Sequence, residues 1–177
     1  MKAPGILDAR AWVEEHRALL PRALMSHERV WNDGFLVMLF DGPTAPERSD
    51  FHVNSSPEFF YQFVGEMFCR VLEDGRFVDY TVKEGEMFLL PAGVPHLNRR
   101  GDRGIGLVVH QARPAGAKDA IVWYCENCGN QLHRVDYLFE ELKSQLTTFV
   151  TAFLADERLR TCARCGTVMP GDRGRMT

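Results

Sequence analysis

Between residues 35 and 111 the chain alternates short apolar runs with tight polar breaks. The runs are FLVMLF (35–40), FFYQFV (59–64), MFCRVL (67–72), FVDYTV (77–82), MFLL (87–90) and GLVVHQ (106–111), separated by DGP, EDG, KEG and RGDRG. Runs this short, rich in aromatic and β-branched residues and bounded by Gly, Pro and Asp, predict strands. Asp74-Gly75 lies between two of them and suits a type I′ hairpin, whose central positions both need positive φ. Many short strands in succession predict an all-β barrel or jelly roll rather than a βα repeat. The flanks read differently. Residues 8–20 (DARAWVEEHRALL) set apolar residues among charges behind a capping Asp8 and predict a short amphipathic helix. Residues 136–154 predict a second helix, with Leu138, Leu142, Leu146 and Val150 at four-residue steps.

Composition narrows the class. The 177 residues, 45% apolar and 25% charged, are those of an ordinary soluble globular domain with room for a substantial core. A net charge of −3 gives no basic footprint, so neither composition nor charge supports nucleic-acid binding. No apolar run reaches the roughly 18 residues of a membrane span, and the start of the chain lacks a signal-peptide core, so the expected compartment is the cytoplasm.

The five cysteines are unevenly spread, with Cys69 alone in the first half. Cys125/Cys128 and Cys162/Cys165 form two C-x2-C units with 33 residues between them, each followed by Gly. Two intervening residues let both thiolates face one ion, and two such knuckles make a four-sulfur tetrahedral site for zinc or iron. This predicts two parts: residues 1–120, a barrel with an N-terminal helix, and residues 121–177, a helical extension stapled by metal. Cys69, in an alternating strand, is expected to be a buried packing thiol.

Metal-capable side chains are densest in RSDFHVNSSPEFFYQ (48–62), where His52 and Glu58 flank a turn-prone Asn-Ser-Ser-Pro. His96 ends GEMFLLPAGVPH. Two imidazoles and a carboxylate on one face leave open positions that suit ferrous iron, or zinc in a hydrolytic centre. The spacings H-x-N-x3-E-x6-G from His52 and G-x5-P-x-G-x2-H from Gly85 resemble the two cupin motifs, which implies a double-stranded β-helix with metal ligands pointing inward. Asn54 stands where the first motif usually has a second His.

The segments RSDFH…EFFYQ, KEGEMFLLPAGVPH, LVVHQARPAG and WYCENCG together are similar to the bacterial 3-hydroxyanthranilate 3,4-dioxygenase family over nearly the whole chain. That resemblance implies a homodimeric cupin with catalytic Fe(II) on His52, Glu58 and His96. It also implies a rubredoxin-like second metal, iron or zinc, on the four cysteines. The implied reaction opens an ortho-aminophenol ring with O2, inserting both oxygen atoms to give a muconate semialdehyde. Arg48 matches the family arginine beside the oxygen site, Arg100 the arginine that grips the substrate carboxylate, and Asp50 also fits the pattern. Two positions depart from it: His110 replaces a substrate-contacting glutamate, and His27 stands at a pocket asparagine. An imidazole at 110 titrates near neutrality and can act as base, pair with a differently substituted ring or bind the metal. Beside the dioxygenase, a cupin hydrolase, decarboxylase or isomerase using His110 without O2 stays open, as does a non-enzymatic sensor of an aromatic acid.

Overall fold

The computed structural model describes residues 6–16, 27–44, 48–101 and 104–171. Among them lie α1 (Ala9–His16), β1 (His27–Asp33), β2 (Phe35–Asp41), β3 (Phe51–Val53), β4 (Glu58–Val64), β5 (Met67–Glu73) and β6 (Arg76–Val82). They are followed by β7 (Met87–Leu90), β8 (His96–Arg100), β9 (Ile105–Gln111), β10 (Asp119–Tyr124), β11 (Gln131–Tyr137), α2 (Leu142–Ala155) and α3 (Glu157–Arg160). Two antiparallel sheets result, ordered β1-β2-β9-β4-β7 and β11-β10-β3-β8-β5-β6.

The barrel is one long hairpin wound up on itself. At its tip Asp74 and Gly75 have φ of 48° and 75°, the left-handed pair a type I′ turn requires. Away from the tip, cross-strand partners stay near mirror positions: Cys69 opposite Tyr80, Glu58 opposite Leu90, His52 opposite His96 and Leu36 opposite His110. Because successive pairs fall in alternate sheets, the hairpin folds into the double-stranded β-helix of the cupin fold. This winding sets residues far apart in sequence side by side inside.

Alternation fills the interior. On β5, Met67, Cys69 and Val71 are buried while Phe68 and Arg70 face out. The inward residues join Phe60, Val82, Leu90 and Val108 in one apolar cluster. A second cluster seats α2 on the barrel, joining Leu146, Val150 and Phe153 to Leu36, Met38, Ile121 and Trp123. Trp123 and Phe153 stack at 4.4 Å and 10°. β10 runs through residues 119–124 and pairs with β3, Ile121 lying opposite His52.

The first helix starts where Asp8 caps it, its carboxylate accepting from the Arg10 and Ala11 amides at 3.0 Å. The second begins later than its periodicity suggests. Asp136 and Tyr137 are taken by β11, paired with Ala120 and Asp119, and Leu138 is exposed. Glu141 then caps the helix, accepting from the Lys143 and Ser144 amides, and Leu142, Leu146, Val150 and Phe153 form its buried face.

Candidate active site

A pocket opens between the two sheets, and its walls include Arg48, His52, Glu58, Arg100 and His110. The wound hairpin explains the meeting. His52 and His96 are direct partners across β3 and β8, with rings 6.0 Å apart, and Glu58 lies opposite His110 across β4 and β9. Each oxygen of Glu58 faces an imidazole: Oε2 is 2.6 Å from His96 Nε2 and Oε1 is 3.0 Å from His110 Nε2. His52 is turned aside, its Nε2 lying 3.0 Å from Arg48 Nη2 and 3.2 Å from Asp50 Oδ2. Among the described residues, only the four cysteines bring three or more ligand atoms within 4.8 Å of one another. His52 and Glu58 line the pocket and His96 abuts Glu58, but the expected trio does not converge to that distance.

The donor set nonetheless fits a cation. His96 Nδ1 lies 3.0 Å from the Val94 carbonyl and can donate there, which makes Nε2, beside Glu58, the nitrogen available to a cation. Glu58 Oε2 and His96 Nε2 are buried and, among the described residues, have no hydrogen-bond partner beyond their own 2.6 Å approach. A cation bound between these two atoms would satisfy both. Neighbouring ligands on a metal with bonds of about 2.1 Å sit about 3 Å apart.

The electrostatics agree with a carboxylate held ionised. Burial alone would push the Glu58 carboxyl up, but the His96 and His110 imidazoles outweigh it and hold it well below the usual range. Burial likewise opposes ionisation of Asp50, yet Arg48 more than offsets it and its carboxyl falls to about 2. At His96 burial favours the neutral ring, but Glu58 prevails and raises it; at His110 burial prevails and lowers it.

The two arginines are held differently. Arg48 clasps Asp50 with Nε and Nη2 at 2.6 and 2.8 Å, and Arg99, facing outward on β8, donates to the Arg48 carbonyl. Arg100 points inward. Its Nε has no partner among the described residues, its Nη2 meets only Met67 Sδ at 3.4 Å, and its guanidinium lies 4.8 Å over Phe40. Burial lowers it to about 10. Gly106 makes room for it: a Cβ there would lie 3.0 and 3.1 Å from Arg100 Nη2 and Nε, and 2.7 Å from Gln62 Oε1.

His27 opens β1 opposite Phe40, but its side chain lies outside the described residues. The pocket also takes in Asn54 and Leu142, noted in the sequence for other reasons, and Asn98, Arg113 and Phe139, which the sequence had not singled out. Arg113 lies in the LVVHQARPAG segment, three residues past His110; nothing local marked Asn98 or Phe139.

The cysteines form a second centre. Gly129 and Gly166, with φ of 71° and 74°, let each knuckle close, their amides donating to the Cys125 and Cys162 carbonyls. The Sγ atoms of Cys125 and Cys165 are 3.6 Å apart, and those of Cys128 and Cys162 are 3.5 Å apart. That is too long for a disulfide and close to the edge of a sulfur tetrahedron around an ion with bonds of about 2.3 Å. Cys69 is buried in the barrel, where burial, helped by Glu58, pushes its thiol to about 12.

Among the described residues no helix is long and apolar enough to cross a membrane. Solved structures with a similar fold include a Neisseria meningitidis protein (TM-score 0.45, 19% identity, covering 61% of this chain and all of that one). Another is a mutant of Bacillus subtilis oxalate decarboxylase (TM-score 0.40, 14% identity, covering 51% of this chain and 26% of that one). Sequence relatives are much nearer. A Candida albicans protein named 3-hydroxyanthranilate 3,4-dioxygenase is 43% identical over 157 residues, 89% of this chain and 90% of its own. Proteins of the same name from Ruegeria pomeroyi and Jannaschia sp. are 41% and 40% identical, over 90% and 92% of this chain and 88% and 89% of theirs. The model of the 3-hydroxyanthranilic acid dioxygenase family matches residues 1–154, and with relatives this similar over nine-tenths of its length, the chain belongs to that family.

Proposed function

We propose that the protein is a non-haem Fe(II) ring-cleaving dioxygenase of extradiol type. Its substrate is 3-hydroxyanthranilate or a related ortho-aminophenol or catechol carboxylate, and both atoms of O2 enter the product, a muconate semialdehyde. The observation that carries the reading is a pocket lined by both Arg100 and Glu58: among the described residues the buried Arg100 Nε has no partner, and neither does Glu58 Oε2 or the His96 Nε2 beside it. The first calls for an anion and the second for a cation. His52, Glu58 and His96 would hold the iron, which supplies open positions where a chelating ring and O2 meet. Arg100 grips the ring carboxylate with a two-pronged donor. Arg48, fixed by Asp50, keeps positive charge beside His52 where oxygen would gain negative charge. His110, its Nε2 turned to Glu58, keeps Nδ1 without a partner among the described residues and would accept the ring hydroxyl proton there, and His27 is assigned to the pocket by likeness alone. The four cysteines would hold iron or zinc.

The test is an anaerobic titration of 3-hydroxyanthranilate into Fe(II)-loaded protein, followed by air. Oxygen uptake with a ring-opened product is expected. No uptake across a panel of such aromatics, with iron confirmed, would sink the reading, and turnover under argon would favour a cupin hydrolase or decarboxylase. Restoring the carboxylate with His110→Glu should raise kcat/KM on 3-hydroxyanthranilate; an unchanged value would mean that specificity is set elsewhere. Gly106→Ala should crowd Arg100 and raise KM for carboxylate substrates about tenfold, the effect of losing about 1.4 kcal/mol of binding. A KM equal to wild type would show that Arg100 needs no such space.

We also propose that the enzyme works in the cytoplasm as a homodimer. Phe35, Met87 and Leu89 leave an apolar patch on the outer face of the five-stranded sheet, 57%, 67% and 63% exposed. Light scattering should give twice the chain mass, and a Met87→Asp/Leu89→Asp variant should run as a monomer.

A further inference from the structure

Asp119 and Arg113 have no part in the chemistry above, yet Arg113 lines the pocket and Asp119 pairs with it. Asp119 opens β10 and is fully buried. Its Oδ1 accepts from the Ser55 amide at 2.9 Å and from the Ser55 hydroxyl at 2.8 Å. Its Oδ2 accepts from Arg113 Nε and Nη2, both at 2.6 Å. The Arg113 guanidinium in turn lies 3.9 Å from the centre of the Phe139 ring, in the segment leading to α2.

Ser55 gives this cluster its meaning. It sits in the four-residue link, Asn54 to Pro57, that separates the strand of His52 from Glu58. Among the described residues the link has few other side-chain ties, since Asn54 Nδ2 and Ser56 Oγ are buried there without partners. On its far side the Asn54 carbonyl accepts from the Gly93 amide at 2.8 Å, in the turn that leads to His96. The stretch that spaces the first two candidate ligands is thus pinned between the turn of the third and a carboxylate on β10. An ionised carboxylate inside a barrel is costly unless paired and fully hydrogen-bonded, and Arg113 with Ser55 meets both conditions.

We propose that Asp119, charge-balanced by Arg113, is a positioning residue that holds the Asn54–Pro57 link in the register metal binding requires. It touches no substrate and acts through Ser55. The proposal rests on His52, Glu58 and His96 being the metal site.

The test uses the full chain with zinc on the four cysteines and Fe(II) in the barrel, following anaerobic release of iron to a ferrous chelator. Arg113→Met/Asp119→Asn leaves no unpaired charge and keeps an oxygen to accept from Ser55. Its release rate should stay within about twofold of wild type. Arg113→Met/Asp119→Ala also leaves no unpaired charge but frees the link, and its iron should leave at least about ten times faster. Equal release from the two double variants, or acceleration that tracks their thermal midpoints, would reduce the clamp to a structural ion pair and overturn the proposal. If the alanine variant does not fold, Ser55→Ala removes one of the two bonds and should still speed release about threefold; wild-type kinetics there would overturn it equally. A wild-type protein that takes up no barrel iron would instead refute the metal reading beneath it.

Discussion

Glu58→Gln is expected to leave a folded protein with one metal ion per chain instead of two and no measurable oxygen uptake. The substitution keeps the shape of the side chain, so the β4–β9 pairing and the buried position of residue 58 should survive. What it removes is charge. The carboxylate stands between two imidazole nitrogens, 2.6 and 3.0 Å away, and is the anionic member of the candidate set. An amide in its place offers one neutral oxygen and turns an NH2 toward one of the two rings. Several kcal/mol of charge stabilisation correspond to on the order of 10³-fold in rate, so activity should fall by at least that much. The four-cysteine centre gives the control. Its sulfurs come from the β10–β11 turn and the segment after α3, so its metal should remain in Glu58→Gln. Elemental analysis with an oxygen electrode decides the matter. Two ions per chain and wild-type uptake would show that Glu58 is not a ligand and would move the metal elsewhere.

How much of this was legible in the sequence depended on what each strand faces. β2, β4, β5, β6, β7 and β9 pack apolar side chains inside the barrel, so their runs stand out, and the Asp74–Gly75 turn that organises them is equally plain. β8 does not stand out, because His96 and Arg100 point into a polar pocket and break the apolar alternation. β3 has three residues, too few for any period to show. The start of α2 was misplaced because Asp136 and Tyr137 fit the helical period, while pairing with β10 decides their conformation. The candidate ligands are brought near one another because the turns between their strands set which residues pair: His52 with His96, and Glu58 with His110. Their actual distances do not follow from spacing, and His52 leans toward Asp50 rather than Glu58. Asp119 was invisible for a different reason: its partner Ser55 is 64 residues away, and only burial makes that bond matter.

Arg100→Met should raise thermal stability while cutting kcat/KM about 150-fold on 3-hydroxyanthranilate. The two effects have one origin. Arg100 is 6% exposed, and among the described residues its guanidinium meets a thioether and an aromatic face but no carboxylate. A buried cation so poorly matched costs the free protein stability, and its lowering to about 10 by burial is the same cost seen through the proton equilibrium. Methionine keeps much of the volume without the charge. Each kcal/mol regained should lift the midpoint by about 2–4 °C in a chain of this size. The substrate carboxylate would supply the missing anion, and losing a two-pronged charge-assisted contact of about 3 kcal/mol gives the 150-fold figure. 2-Aminophenol, which lacks the carboxylate, should be turned over equally by both proteins. A variant that lost stability, or lost activity equally on both compounds, would make Arg100 a packing residue. A gain in stability with a loss confined to the acid would mark a side chain kept at the expense of the fold for the ligand it awaits.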